Sequence, residues 1–416
     1  QDHLGISYSI TTNEKEFEEF TQEKLNFSTL RIENSFFIRS ANLIFENNIY
    51  PQKIPVGHLD SHKVLFPHLD CDLGFDIFSA SFYLSSRYEE YLDFTPDEFG
   101  RFKAFDSLAY KNDFLELPIV DIWVMYFKKK LIEKFPRIQC SSNNHFKAIL
   151  TYDIDIAYKF KGRNLMRNAG STFKDLLQKK IKNIEQRISV LLKLKKDNWD
   201  IYDELQHTIQ KNKISSVFFF LVGNPSTYDR NLRAESPLMR QLIKRIATFG
   251  EIGIHPSFSS NQNKTLLKLE KERLENIVNR KITKNRQHFL KLKFPDTYSN
   301  LIALGIKEDY TMGFPEMPGF RAGTCTPFYF YDLQKEQKAN LLIFPTSCME
   351  ASFKYYLKSS PENSILTIKN IIDSVQKVNG TFISIWHNDN LEDTQLDKDW
   401  RWCHKEMIQY LQSFKY

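Results

Sequence analysis

The sequence predicts an α/β protein whose larger part is a distorted parallel (β/α) barrel of seven strands, preceded by a smaller α/β or mainly helical domain. Three observations carry this. After residue 145, short apolar runs alternate with amphipathic stretches, the pattern of strand–helix units that build a parallel sheet. Seven such runs occur. Several end in Asp, Arg or His, and in a parallel barrel the C-terminal strand ends are where chemistry is placed.

Taken in order, residues 1–140 form the first unit. "FDIFSASFYLSSRYEEYLDF" (75–94) is a dense aromatic helical pattern, and "LPIVDIWVMYFKKKLIEKF" (117–135) has apolar residues at helical spacing. "PRIQCSSNNHF" (136–146) opens with Pro, is polar, and reads as a linker. The barrel domain is assigned to 141–416. Its strands are read as "FKAILTYD", "SSVFFFLVG", "EIGIHPS", "ITKNRQHF", "DYTMGF", "LLIFPTS" and "TFISIWHN". Helices are read at 171–194, 264–278, 296–305 and 362–378.

Composition is that of an ordered globular chain: of 416 residues, 42% are hydrophobic and 26% charged, with 35 Phe and 19 Tyr for an aromatic-rich core. The longest clean apolar run, "VFFFLVG" (217–223), falls far short of the roughly 18 residues a membrane span needs. Five dispersed cysteines with no CxxC pair read as free thiols in a reducing compartment. The expectation is a cytoplasmic protein, with the inner membrane face as an option. The first residue is Gln, which leaves room for a removed leader.

Charge is uneven. Residues 159–213 hold 14 Lys/Arg against 6 Asp/Glu, an excess of 8, so the rest of the chain is near −2 out of a net +6. This segment is read as a basic helical insertion that leaves the barrel directly after Asp155. It suits contact with an anionic glycan or a membrane surface. No nucleic-acid reading motif accompanies it, so no nucleic-acid partner is expected. Oligomeric state is not legible.

The polar strand ends supply the candidate site. The first strand ends in Asp153 and Asp155, the third in His255, and the last in His387, while the fourth carries Arg286 and His288. One carboxylate and two imidazoles make an open site for a divalent cation, Zn²⁺ above others. A second carboxylate can take a proton from water, a further imidazole can protonate a leaving group, and Arg can hold the base in place. "GFRAGTCTPF" (319–328) is a second unusual stretch: Arg321 either binds a substrate carboxylate or hydroxyl, or pins a loop. His58, His62 and His68 match no metal spacing and are read as loop residues of the first domain.

In order, these motifs resemble those of the polysaccharide deacetylase superfamily, the carbohydrate esterase family 4 and its relatives. "TYDID" (151–155) stands for its aspartate motif, "HPSFS" (255–259) for its histidine motif, "RQHF" (286–289) for its arginine motif, and "SIWH" (384–387) for its final strand. The resemblance covers about 147–410. It extends loosely, through "SSRYEEY" (85–91), to two-part bacterial proteins with an uncharacterised N-terminal domain. It implies Asp153 as general base, Asp155 and His255 as metal ligands, Arg286 as the orienter of the base, and His387 as general acid. Three positions depart from the family pattern. Ile154 separates the aspartates, Ser259 stands where the second metal histidine belongs, and His288 replaces a proline. His288 is therefore assigned as the replacement ligand, and Arg321, Ser259 and Trp386 are assigned to substrate binding. The expected activity is a metal-dependent hydrolase that removes acetyl groups from a bacterial cell-envelope glycan or glycan precursor. The alternatives are a catalytically impaired carbohydrate-binding barrel and a hydrolase of another linear amide.

Overall fold

The computed structural model describes residues 3–141, 144–163, 165–392, 394 and 398–414. Residues 142 and 143 of the expected linker, and residue 164 of the basic segment, lie outside them.

The N-terminal part is mixed α/β. Strand β1 (Leu25–Ser28) pairs in parallel with β2 (Phe36–Arg39). Strands β3 (Val56–Leu59) and β4 (His62–Leu65) form an antiparallel hairpin. The aromatic stretch after residue 75 is helical only over Ile77–Ser85, where Asp76 caps the start by accepting from the Ser79 amide. The helix stops as Arg87 takes a left-handed φ of 58°, and Tyr88–Glu90 continue as a single 3₁₀ turn. A 16-residue helix, Ile119–Lys134, closes this core and places Trp123 against Phe75.

The rest of the chain is organised on one nine-stranded sheet: β5 (Lys147–Ile154), β6 (Ser215–Leu221), β7 (Glu251–His255), β8 (Lys284–Asn285), β9 (Glu308–Asp309), β10 (Phe328–Asp332), β11 (Gln337–Ile343), β12 (Cys348–Met349) and β13 (Thr381–His387). The order across it is β10-β11-β9-β8-β7-β6-β5-β13-β12. Every neighbouring pair is parallel except β10 with β11. Among the described residues this sheet has nine strands, against the seven read from the pattern. The hairpin partner β10 and the two-residue β12 account for the excess.

Strand periodicity sorts side chains by face. On β5, Leu150, Tyr152 and Ile154 join the large core under the helices. Thr151 and Asp153, also buried, alternate to the other face. That face carries a small apolar plug of Val217, Phe219, Tyr310 and Ile383. The register sets His387 beside Asp153 on adjacent parallel strands, and Leu221 beside His255. The basic stretch 171–194 is not one helix. It breaks at Lys179, φ 55°, into Leu165–Leu177 and Ile181–Leu191. Among the described residues, no helix is long and apolar enough to cross a membrane.

The two parts are joined by buried polar contacts. Arg321 donates from Nε to Glu90 Oε1 at 2.8 Å and from Nη2 to Glu90 Oε2 at 2.5 Å. Arg87 shares Glu90 through Nε at 2.8 Å and donates to the Arg321 carbonyl. Asp121 accepts from the Cys325 amide at 2.9 Å and from Thr326 Oγ1 at 2.6 Å. "SSRYEEY" and "GFRAGTCTPF" are thus two halves of one seam.

Candidate metal centre and acid–base groups

Asp155 lies one residue past β5, where the strand has ended and its carboxylate faces two imidazoles. His255 Nε2 is 3.2 Å from Asp155 Oδ1, and His288 Nε2 is 3.4 Å from Asp155 Oδ2. The three ligand atoms lie within 4.8 Å of one another. The other nitrogen of each ring is committed. His255 Nδ1 donates to the Arg286 carbonyl at 2.6 Å, and His288 Nδ1 donates to Asp229 Oδ1 at 2.9 Å. With each Nδ1 carrying a proton, a neutral ring turns a bare Nε2 toward the carboxylate. Three acceptors then converge, and Asp155 Oδ1 is buried without accepting a hydrogen bond among the described residues. Such a cluster demands a cation at its centre, whether protons or a metal. Two imidazole nitrogens and one carboxylate oxygen are a donor set that fits a zinc-like divalent ion.

The titration directions express the same demand. Burial opposes the His288 imidazolium, yet Asp155 and Asp229 outweigh it and raise the group to about 9. Burial likewise opposes ionisation of Asp155, but His288 and His255 hold its carboxyl well below the usual range.

His288 reaches this position through a contorted backbone. β8 ends at Asn285, and Phe289 and Leu290 both take left-handed φ values, 61° and 51°. Two such residues in succession cost of order 1–3 kcal/mol each, which the surrounding packing sustains.

Asp153 lies beside this cluster. Arg286, fully buried, donates from Nη1 to Asp153 Oδ1 at 2.9 Å and to Thr151 Oγ1 at 2.7 Å. Its Nε donates to the Tyr310 carbonyl at 3.0 Å, and its guanidinium stacks on Phe219 at 4.5 Å. Asp153 Oδ2 is left toward His255 Nε2 at 3.8 Å.

His387, at the end of β13, directs Nε2 to Asp155 Oδ2 at 3.9 Å. Its Nδ1 donates to Glu350 Oε1 at 2.7 Å, and that oxygen also accepts from the His387 amide at 2.8 Å and from Asn390 Nδ2 at 2.8 Å. Burial works against the charged ring. Glu350 outweighs it, with help from Asp155 and Asp153, and His387 is raised well above the ordinary histidine value.

The structure thus brings Asp153, Asp155, His255, Arg286, His288 and His387 together. It places Arg321 and Trp386 elsewhere. Arg321 is the pin of the seam described above, its remaining Nη1 donating to the Gly313 carbonyl at 3.0 Å. Trp386 alternates to the opposite face from His387 and packs edge-on against His404 in the large core. Ser259 is exposed on the 3₁₀ turn Phe258–Gln262, which Ser257 caps. Two functional candidates escaped sequence reasoning, Asp229 and Glu350. Glu350 directly follows the short β12, so the strand-end rule finds it once that strand is known. Asp229 lies in the loop after β6 with no local pattern to mark it.

Beside His288 the rim is aromatic. Phe99 of the N-terminal part stacks on Phe289 at 4.8 Å, and Tyr228 and Phe258 lie 4.4 Å apart next to them.

Comparison with known proteins gives two kinds of similarity. Residues 1–136 match DUF7033, a family of unknown function. No curated protein matches the chain. Among solved structures, the chain is similar to a protein provisionally described as a polysaccharide deacetylase from Mycobacterium smegmatis (12% identity, TM-score 0.44, covering 67% of this chain and 87% of that one). It is also similar to Puue allantoinase (10% identity, TM-score 0.41, 65% and 85% covered). A third is the polysaccharide deacetylase Bc1974 from Bacillus cereus (11% identity, TM-score 0.33, 64% and 87% covered).

Proposed function

We propose that the chain is a metal-dependent hydrolase that removes acetyl groups from a glycan or glycan precursor of the bacterial cell envelope. The observation that carries this reading is one arrangement. A three-residue ligand cluster is flanked on one side by an Arg-held carboxylate and on the other by a Glu-held imidazole.

Asp155, His255 and His288 would hold the ion, zinc being the one this donor set suits best. Such an ion supplies Lewis acidity, polarising an acyl carbonyl and making water a stronger nucleophile at neutral pH. Asp153 acts as general base: Arg286 fixes one oxygen, so the other can take a proton from water beside the cluster. Glu350 keeps His387 protonated, so its Nε2–H can be given to the departing nitrogen or oxygen. Asp229 fixes the ring and tautomer of His288 and acts through it as a positioning residue. The rings of Phe99, Tyr228, Phe258 and Phe289 offer flat apolar surface on which the C–H face of a sugar can lie, which supports a glycan substrate over a small amide.

The architecture that accompanies this reading is a distorted barrel formed by 141–416, with 1–140 as a non-catalytic cover. Backbone bonds from Phe344 to the Asp309 carbonyl (2.8 Å) and from Ser347 to the Ile383 carbonyl (2.8 Å) support closure, since one segment touches β9 in one half of the sheet and β13 in the other. The test is metal content of the purified chain beside acetate release from acetylated envelope glycans. Release of acetate that chelator abolishes and zinc restores supports the reading. Metal binding with turnover only of a linear amide would redirect it, and absence of both would leave a carbohydrate-binding protein.

A further inference from the structure

We propose that the helical pair Leu165–Leu177 and Ile181–Leu191 is a docking surface for an anionic lipid bilayer, lying in the headgroup plane with its apolar stripes inserted.

Both helices are amphipathic, but their orientation is inverted. On the first, Met166, Phe173, Leu176 and Leu177 follow helical spacing on one face, and that face is toward solvent: Met166 is 83% exposed, Phe173 63% and Leu177 69%. On the second, Ile181, Ile188, Leu191 and Leu192 do the same, and Leu194 beyond it is 73% exposed. The side turned inward is mostly polar, with Val190 its one buried apolar residue among the described residues. Arg187 is buried and donates to Thr172 Oγ1 at 2.8 Å and to Asp175 Oδ2 at 2.6 Å, with its guanidinium over Phe160. Asn168 is buried on the same side. A helix pair in water ordinarily hides its apolar stripe and shows its polar one. This pair uses polar contacts to hold the stripe outward, and single exposed apolar residues do not make such a pattern.

Charge selects the occupant. Residues 163–196 hold 10 Lys/Arg against 2 Asp/Glu, and Lys174, Lys179, Lys180, Lys182, Lys193 and Lys195 are all exposed around the stripes. A second copy of the chain would bring two such basic sets face to face. An anionic polysaccharide would meet the lysines but leave the apolar residues wet. Anionic lipid satisfies both, by acyl contact for the stripe and headgroup charge for the lysines. The segment begins ten residues after Asp155, so docking would hold the candidate site near the membrane surface.

The test is co-sedimentation of the full chain with vesicles of phosphatidylcholine alone or mixed with phosphatidylglycerol. Binding is expected to the mixed vesicles, weakened but not abolished by salt. The double variant Phe173→Asp/Leu177→Asp should weaken it at least about tenfold. Lys179→Glu/Lys180→Glu/Lys182→Glu should weaken it by at least about a hundredfold, from about fivefold for each lysine lost before any repulsion from the new carboxylates. These positions are exposed, and circular dichroism checks that each variant is folded. The proposal is overturned if the parent ignores phosphatidylglycerol vesicles at low salt, or if both folded variants bind like the parent. It is equally overturned if dextran sulfate is bound and vesicles are not, or if Phe173→Asp/Leu177→Asp abolishes self-association in gel filtration and leaves vesicle binding intact.

Discussion

His288 donates from Nδ1 to Asp229 Oδ1 at 2.9 Å, and this bond points its Nε2 at Asp155. Asp229 is itself held, accepting from the Phe258 amide at 3.0 Å and from Ser226 Oγ at 2.8 Å. A carboxylate behind a ligating imidazole fixes its tautomer and raises its basicity. Asp229→Asn should therefore lower zinc affinity about 10- to 100-fold while the chain stays folded. Competition with a chromophoric chelator measures it. An unchanged affinity would remove His288 from the ligand set.

The Glu350–His387 pair should appear in the pH profile. Glu350 raises the His387 pKa, and a general acid works only while protonated, so turnover should fall on the alkaline side as His387 loses its proton. Glu350→Gln removes the charge that sustains the proton. The alkaline limb of kcat/KM for acetate release should then move to lower pH, with metal content unchanged. A limb that stays in place would assign the acid role elsewhere.

The seam between the two parts makes a stability prediction. Burial opposes the Glu90 charge, yet Arg321 and Arg87 hold its carboxyl below the usual glutamate value. A depressed folded-state pKa contributes stability that is present above the unfolded value, near 4.5, and is lost as pH falls through the folded one. Glu90→Gln should cost about 3–5 kcal/mol at neutral pH, because two buried guanidiniums lose their carboxylate. Urea unfolding should show the parent and variant converging in strong acid. Parallel pH curves would contradict a charged Glu90.

Much of the candidate site was legible because strand ends leave a local mark: apolar runs that finish in Asp or His at 153, 155, 255 and 387 need little tertiary information. Arg286 and His288 were legible for the same reason, although β8 is only two residues long. What escaped depends on long-range contact. Arg321 finds Glu90 across the seam, 231 residues away, and nothing near either residue signals it. Trp386 was assigned to substrate, but strand alternation puts it on the opposite face from its neighbour His387 and into the large core. Ser259, assigned by motif position, stands exposed on the 3₁₀ turn capped by Ser257. The extra strands β10 and β12 were hidden by brevity and by a hairpin whose partner alone had a clear apolar run.

The central claim is a division of labour between two aspartates one residue apart. Asp155 faces His255 and His288, while Asp153 faces Arg286. The most direct measurement is zinc content beside acetate release for Asp155→Ala, His255→Ala and Asp153→Asn. The account predicts that Asp155→Ala and His255→Ala lose zinc and turnover together. It predicts that Asp153→Asn keeps zinc and loses turnover by at least about 10²-fold. Asp153→Asn turning over like the parent, or Asp155→Ala keeping its zinc, would contradict it.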